Sequence, residues 1–153
     1  MKKIKVLLVD DEEDFVQSLS ERIKMRELDS SVALDGEEAL RLVDEEVPDV
    51  MVLDLKMPGI DGMEVLRRVK KAYPKVQVIM LTGHGSEKDE TEARRLGAFE
   101  YLEKPTSIDI LTKHIKSAFS YFQKSMAAAA LAENGDYKSA KEILDEEEDN
   151  EKD

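Results

Sequence analysis

The residues of this sequence best suited to chemistry are acids that stand directly after short apolar segments. Asp10 and Asp11 follow residues 4–9, and Asp54 follows residues 50–53. Carboxylates that are held close together repel one another, and a hard cation or a proton relieves that repulsion. Carboxylate oxygens, together with a backbone carbonyl and water, suit Mg²⁺ or Mn²⁺. If the three acids meet in the fold, the sequence predicts a divalent-metal site.

A carboxylate can also act as a nucleophile toward phosphorus, and the product is an acyl phosphate. Two further residues would assist that reaction, because Thr82 follows the apolar residues 76–81 and Lys104 lies just past residues 99–102. The ammonium of Lys104 could pair with phosphoryl oxygens, and the hydroxyl of Thr82 could take a remaining oxygen. Phosphoryl transfer to an aspartate requires mostly positioning and charge neutralisation, and this set of residues supplies both.

Short apolar segments alternate with longer amphipathic ones along the chain. The short segments are rich in β-branched residues, which predicts strands buried on both faces. The predicted strands are residues 4–9, 31–34, 50–53, 76–81 and 99–102. The predicted helices are residues 13–25, 37–47, 63–72, 86–96, 106–133 and 137–147. In the first helix, Phe15, Leu19 and Ile23 form an apolar stripe at four-residue spacing. The alternation predicts a parallel sheet with helices on both faces and with the reactive residues at the carboxyl ends of its strands.

The composition favours a compact domain with an appendage. Of the 153 residues, 41% are hydrophobic and 38% are charged, and none is a cysteine. No apolar stretch approaches the roughly 20 residues that span a bilayer, and the N-terminus has no small-residue cleavage site, so we expect neither membrane insertion nor a signal peptide. The lack of cysteine excludes disulfides and fits a cytoplasmic location. A net charge of −12 without a basic cluster argues against nucleic-acid binding within this chain.

These motifs resemble the receiver domains of two-component response regulators. The matching positions are Asp10-Asp11, Asp54 within residues 52–62, Thr82-Gly83 and Lys104-Pro105, in the order and spacing of that family. The resemblance covers about residues 3–120, and we expect a receiver domain over residues 1–120. It implies an α/β fold with a doubly wound, five-stranded, parallel, flavodoxin-like sheet of strand order 2-1-3-4-5. It also implies a stand-alone response regulator that is activated by phosphorylation.

The resemblance assigns the acids to phosphorylation and to metal binding. Asp54 would be the phosphoryl acceptor, and the donor would be a sensor histidine kinase or a phosphotransfer protein. Asp11, Asp54 and the backbone carbonyl of Lys56 would bind Mg²⁺ (or Mn²⁺), while Asp10 would hold a water on the metal. These assignments make Asp54 a phosphorylation site inside a metal site.

The resemblance also implies a switch. Thr82 and Lys104 would bind the phosphoryl oxygens, and Tyr101 would rotate inward as Thr82 moves toward the new charge. The surface affected would be the fourth helix, the fifth strand and the fifth helix, through which a downstream protein, unidentified by the sequence, would be bound. The residues expected to modulate the phosphoryl group are Lys56, Gly83 and His84.

The fourth helix is unusually polar. Within residues 86–96 only Ala93 and Leu96 offer apolar contacts. We therefore expect this helix to be loosely packed and mobile in the unphosphorylated protein.

The chain continues past the receiver with a helical hairpin, expected over residues 121–147. The fifth helix is predicted to reach about Glu133, where residues 134–136 break it before a final helix. This hairpin resembles a single tetratricopeptide repeat, although one hairpin forms no array. We expect it to pack on the receiver or on a second copy of the chain. The alternative is an element dedicated to docking a partner. A homodimer through the hairpin or through the switch surface is left open. Residues 148–153 are expected to be an acidic, disordered tail.

Each site residue also has a plainer interpretation. Asp10 and Asp11 could merely begin a helix. Thr82 could be an ordinary turn hydroxyl, and Lys104 could be a surface lysine. The main alternative function is a non-switching adaptor or scaffold that uses the receiver fold and the hairpin as a platform. The presence of the acidic pair together with Asp54, Thr82 and Lys104 argues against this alternative. A hydrolase ranks last, because no separate general acid or base is evident. We expect no enzyme activity beyond self-phosphorylation and autodephosphorylation.

Overall fold

A computed structural model describes residues 2–151 of the chain, with side chains described for residues 2–145. The strands are β1 (Lys5–Val9), β2 (Asp29–Ala33), β3 (Val50–Leu53), β4 (Gln77–Thr82) and β5 (Glu100–Glu103). The helices are α1 (Glu13–Lys24), α2 (Gly36–Glu45), α3 (Gly62–Ala72), α4 (Glu87–Arg95), α5 (Ile108–Glu133) and α6 (Tyr137–Glu151). Strands and helices alternate as the sequence predicted.

The five strands form one parallel sheet of order β2-β1-β3-β4-β5. The central strand β3 is in register with both neighbours, since Leu53 pairs with Val9 on one side and with Met80 on the other. All residues of β3 and β4 are buried, as expected for strands that are covered on both faces. The flavodoxin-like order expected from the family resemblance is therefore confirmed.

The sheet separates two hydrophobic cores. One core contains Leu66 of α3 and Val43 of α2, together with alternate residues of the strands. The other contains Val16 of α1 and Ile115 of α5, together with the intervening strand residues. Helices therefore cover both faces, α2–α4 on one and α1 and α5 on the other, as the predicted alternation requires.

Helix α1 buries most of the stripe that the spacing indicated, since Ile23 is buried and Leu19 packs at the margin of the core. The buried residues are Val16, Ser20 and Ile23, whereas Phe15 is 36% exposed. Ser20 is accommodated because its hydroxyl oxygen lies 2.8 Å from that of Ser30 on β2. Phe15 is the residue of the predicted stripe that lies outside the core, and its ring faces the ammonium of Lys104 instead.

Strand β2 begins at Asp29, two residues before the predicted strand. It is an edge strand that pairs only with β1, from the pair Lys5–Asp29 onward. Polar residues suit an edge strand because one of its sides faces solvent. A search for apolar segments alone therefore missed the first two residues of β2.

The C-terminal hairpin has the predicted form. Helix α5 ends at Glu133, Gly135 takes a positive φ of 85°, and α6 begins at Tyr137. Helix α6 packs against the C-terminal half of α5, where Ala128 and Ala140 are both buried. Helix α6 extends to Glu151 and so enters the segment expected to be disordered, while residues 152 and 153 lie outside the described part.

Helix α4 is attached to the sheet through few apolar side chains. Ala93 is its buried residue, and Leu96, its C-cap, is packed at the margin of the same core. Ser86 and Asp89 form a capping box that stabilises the N-terminus of α4. The helix is therefore stabilised at its end while burying little apolar surface.

Candidate functional site

The predicted site residues meet at the carboxyl edge of the sheet. The backbone amide of Asp54 donates to the carbonyl of Val9, and the amide of Lys104 donates to the carbonyl of Thr82. These bonds continue the sheet by one residue beyond the strands and fix the side chains that follow. The rule that functional groups gather at this edge of a parallel sheet is fulfilled.

Three carboxylates form the centre of the site. Asp10, Asp11 and Asp54 each offer a carboxylate oxygen within 4.8 Å of the others. Asp10 and Asp54 are each only 4% exposed, whereas Asp11 faces solvent. The Oδ1 atom of Asp54 is buried and has no hydrogen-bond partner among the described residues. An unpaired buried carboxylate oxygen is costly, so this atom is available for a ligand or a reaction.

Lys104 supplies the positive charge at this cluster. Its Nζ lies 2.6 Å from Asp10 Oδ2 and 3.8 Å from Asp54 Oδ2, and its side chain is 15% exposed. The same ammonium lies 4.4 Å from the ring centroid of Phe15, and Glu12 Oε1 is 3.8 Å away. A ring face favours a nearby cation, so Phe15 contributes to holding Lys104 over the acids.

Burial and charge shift the titration of this site in defined directions. Burial raises the pKa of the Asp54 carboxyl, and the charge of Asp10 adds to that effect, while Lys104 and the Thr82 hydroxyl oppose it. Burial alone would lower the pKa of Lys104, but its bond to Asp10 and the nearby acids outweigh burial and raise it. Lys104 is therefore a permanent cation beside Asp54.

The end of β4 and the loop after it carry three predicted residues. Thr82 is fully buried at the end of β4, and its Oγ1 accepts a hydrogen bond of 3.3 Å from the backbone amide of His84. Gly83 and His84 are exposed at the rim. Thr82 thus lies beside Asp54, and Gly83 lies beside the side chain of Lys104, while the predicted effect of Gly83 and His84 on the phosphoryl group stays a prediction.

The loop after β3 carries Lys56, and helix α3 begins with Gly62, a glycine that the sequence did not single out. Lys56 is exposed, two residues beyond Asp54, and the predicted metal-binding role of its carbonyl stays a prediction. Gly62 lies where a Cβ atom would overlap the Asp54 carbonyl oxygen and come within 2.8 Å of Leu55 Cα. Its amide donates to the Leu55 carbonyl at 2.7 Å. The only signal in the sequence was the turn-rich composition of residues 57–62.

Tyr101 lies inside the protein. It is on β5, is 6% exposed, and its hydroxyl is buried without a hydrogen-bond partner among the described residues. Burial raises the pKa of its phenol, and the charges of Asp89, Glu90 and Glu103 act in the same direction. The predicted switch residue therefore occupies the inward position in this structure.

Comparison with known proteins agrees with this arrangement. The family described as response regulator receiver domain matches residues 6–116. The alkaline phosphatase synthesis transcriptional regulatory protein PhoP of Bacillus subtilis is 36% identical over 113 residues, which cover 74% of this chain and 47% of PhoP. The transcriptional regulatory protein CpxR of Escherichia coli K12 is 38% identical over 113 residues, 74% of this chain and 48% of CpxR. This chain thus spans about half the length of the curated relatives it matches.

Solved structures show the same fold. A receiver domain protein from Clostridium thermocellum matches with a TM-score of 0.72 and 36% identity, over 76% of this chain and 94% of its own. A CheY-like receiver domain protein from Methanospirillum hungatei JF-1 matches with a TM-score of 0.78 and 25% identity, over 80% and 98%. In the part of this chain that the structure describes, no helix has the length and apolar character needed to cross a membrane.

The fold and the carboxylate cluster define a receiver-type α/β protein. The chain belongs to the response-regulator receiver domain family of two-component systems, as the sequence motifs indicated.

Proposed function

We propose that this protein accepts a phosphoryl group on Asp54 from a histidine kinase or a phosphotransfer protein and signals by binding another protein. The observation that carries the proposal is the Oδ1 atom of Asp54. It is buried, has no partner in residues 2–145, and lies in a cluster with Asp10, Asp11 and the ammonium of Lys104. That combination is a nucleophile with its charge already partly compensated.

The proposed transfer is a displacement at phosphorus. A carboxylate oxygen of Asp54 forms a bond to phosphorus while the bond between phosphorus and the donor's imidazole nitrogen breaks. The electron pair of that bond leaves with the imidazole, which takes up a proton from water. No redox partner is needed, and the product is an acyl phosphate on Asp54.

The donor set fits a hard divalent cation. The carboxylate oxygens of Asp10, Asp11 and Asp54 lie close together, and Oδ1 of Asp54 is buried without a hydrogen-bond partner among the described residues. A set of oxygen ligands favours Mg²⁺ or Mn²⁺ over softer metals. With the backbone carbonyl of Lys56, these residues would hold the ion, Asp10 through a water. When bound, the cation supplies charge neutralisation for the attacking carboxylate and the phosphoryl oxygens.

The chain's own residues do the rest. Lys104 pairs with one phosphoryl oxygen as a fixed positive charge, and the Thr82 hydroxyl binds another. Lys56 and His84 are exposed and follow Asp54 and Thr82 by two residues each, and we propose that they set how readily water reaches the acyl phosphate. Among the side chains that the structure describes, no separate general acid or base is evident, so we expect autodephosphorylation and no turnover of other phosphoesters.

The names and lengths of the relatives bear on how this domain would signal. Many relatives are named as transcriptional regulators, and this chain corresponds to about half of their length. We propose that the phosphorylated domain is recognised by a protein partner, in the cytoplasm where such kinases present their phosphohistidine. The second candidate, an adaptor that never switches, would use the α5–α6 hairpin as its platform.

Intact-mass spectrometry after incubation with acetyl phosphate tests the proposal. We expect one adduct of phosphoryl mass that depends on Mg²⁺, is present in the matched surface variant Asp14→Asn and is lost in Asp54→Asn. An absent adduct, under conditions that label a known receiver, would reject phosphorylation and favour the adaptor. Hydrolysis of a phosphoester by the isolated protein would instead support the alternative that the protein is a hydrolase.

A further inference from the structure

Gly85 makes the space that the side chain of Tyr101 occupies. A Cβ atom built on Gly85 would overlap the Tyr101 hydroxyl oxygen and lie 2.8 Å from its Cζ atom. It would also lie 3.0 Å from the Cγ2 atom of Thr82. Real Cβ atoms do not tolerate such approaches, because protein interiors are close-packed. Any side chain at position 85 would therefore compete with Tyr101 for the same volume.

The requirement for glycine at this position concerns space and not backbone conformation. Gly85 is not among the glycines with positive φ, which are Gly59, Gly97 and Gly135. An alanine at position 85 would thus be compatible with the backbone and would clash only with its neighbours. Gly83, two residues earlier in the same loop, shows the contrast, since its nearest neighbour would be Lys104 Cβ at an ordinary 3.8 Å.

The inward position of Tyr101 also carries an unfavourable feature. Its hydroxyl is buried with no partner among the described residues, whereas the ring is packed in the core of β4, β5 and α4. Burial of the ring favours the inward position, and loss of the hydroxyl's hydrogen bonds to water opposes it. The two contributions act in opposite directions, and their difference sets how strongly Tyr101 favours the inward position.

We propose that Gly85 is the positioning residue that admits Tyr101 to the interior and so couples the phosphorylation site to helix α4. The signalling part of this inference rests on the proposed function; the steric part does not. Gly85 directly precedes Ser86, the N-cap of α4, and its space adjoins the methyl group of Thr82. A movement of Thr82 or Tyr101 therefore changes the packing beneath the first turn of a helix that has little other apolar anchorage.

Nitration of tyrosines by tetranitromethane, read by peptide mass spectrometry, tests the steric part without phosphorylation. Tyr137 is 71% exposed and serves as the internal reference for an accessible phenol. In the unmodified protein we expect Tyr101 to be nitrated far more slowly than Tyr137. In Gly85→Ala the rate at Tyr101 should rise to that of Tyr137, and in the matched variant Gly83→Ala it should stay slow.

A double-mutant cycle protects the test against a variant that folds poorly. Gly85→Ala should lower the urea midpoint in the presence of Tyr101 and leave it nearly unchanged in the background Tyr101→Ala, where the space is vacant. Slow nitration of Tyr101 in Gly85→Ala, or an equal loss of midpoint in both backgrounds, would overturn the proposal.

Two measurements extend the test to coupling. In Asp54→Asn, the effect of Gly85→Ala on nitration should persist, so a failure of phosphorylation is distinguishable from a failure of this inference. In the protein that can be phosphorylated, acetyl phosphate should slow nitration of Tyr101 further, and in Gly85→Ala it should have no effect. A phosphorylation response that survives Gly85→Ala would mean that Tyr101 is not coupled through Gly85.

Discussion

The ammonium of Lys104 is bound to Asp10, at 2.6 Å, and stands 1.2 Å farther from Asp54, at 3.8 Å. Both partners of the shorter contact are largely buried, so this ion pair is shielded from solvent. The lysine therefore neutralises the acid that is not the proposed acceptor. It stays within a short movement of any phosphoryl group that forms on Asp54.

Replacing Lys104 by methionine should have two opposite effects. Loss of one partner leaves Asp10 as a buried, uncompensated charge, so the free energy of unfolding should fall by about 3 kcal/mol in the absence of metal. The cluster also becomes more negative, and its affinity for Mn²⁺ should rise about tenfold, since a unit charge this close contributes on the order of 1–4 kcal/mol. Urea denaturation in chelator and Mn²⁺ titration by electron paramagnetic resonance measure the two effects.

The matched control for this change is Lys71→Met, at an exposed position on α3. It should alter neither the stability in chelator nor the Mn²⁺ affinity beyond the scatter for surface substitutions. Unchanged Mn²⁺ affinity in Lys104→Met would mean that a cation in the acidic cluster does not sense the lysine.

Neutralising Asp54 should stabilise the protein at neutral pH. Because the pKa of Asp54 is raised in the folded state, the folded protein binds this proton more tightly than the unfolded chain does. The resulting penalty is fully present above the folded pKa and absent below the unfolded value. Asp54→Asn should therefore gain on the order of 1 kcal/mol at pH 7 without metal, and the gain should vanish as the pH falls below the ordinary aspartate range.

Thermal or urea unfolding from pH 3 to pH 8 checks this dependence. Asp14→Asn, at an exposed position on α1, is the control and should give no pH-dependent gain. A stabilisation by Asp54→Asn that was equal at all pH values would show that it arises from packing rather than from the charge.

Gly62 should be irreplaceable for a different reason from Gly85. A Cβ atom there would meet the backbone of Asp54 and Leu55, which cannot rotate away as a side chain can. We expect Gly62→Ala to lower the free energy of unfolding by about 3 kcal/mol and to slow phosphorylation, because the loop that positions Asp54 must shift. Differential scanning calorimetry measures the loss of stability, with Gly83→Ala as the control. Equal melting temperatures of the two variants would contradict the prediction.

The sequence could predict the site because its residues follow strands. Asp54 and Thr82 are recognisable from the apolar segments that precede them, and the rule for parallel sheets then brings them together. Gly62 and Gly85 could not be found in that way, because their importance depends on which atoms approach them in three dimensions. The position of Phe15 was missed for a related reason. Phe15 extends the apolar stripe in sequence, but in the fold its ring lies near Lys104 at the rim.

Helix α4 should be the least protected helix of the receiver. Ala93 is its buried residue, whereas α3 buries Gly62, Val65, Leu66 and Val69 over a similar length. Its other contacts include surface ion pairs such as that of Arg94 with Glu100, at 2.6 Å, and exposed pairs contribute little. A helix with so little buried apolar surface opens at low free-energy cost.

Hydrogen–deuterium exchange, followed by mass spectrometry on the unphosphorylated protein, measures that cost. Amides of α4 should exchange at least about tenfold faster than those of α3, corresponding to about 1.4 kcal/mol less local stability. Phosphorylation, if it draws Thr82 and Tyr101 together beneath the N-terminus of α4, should slow the exchange there and leave α3 unchanged. Equal protection of α3 and α4 before phosphorylation would show that the ion pairs and the capping box of α4 compensate for its missing apolar contacts, and α4 would then be a rigid part of the fold.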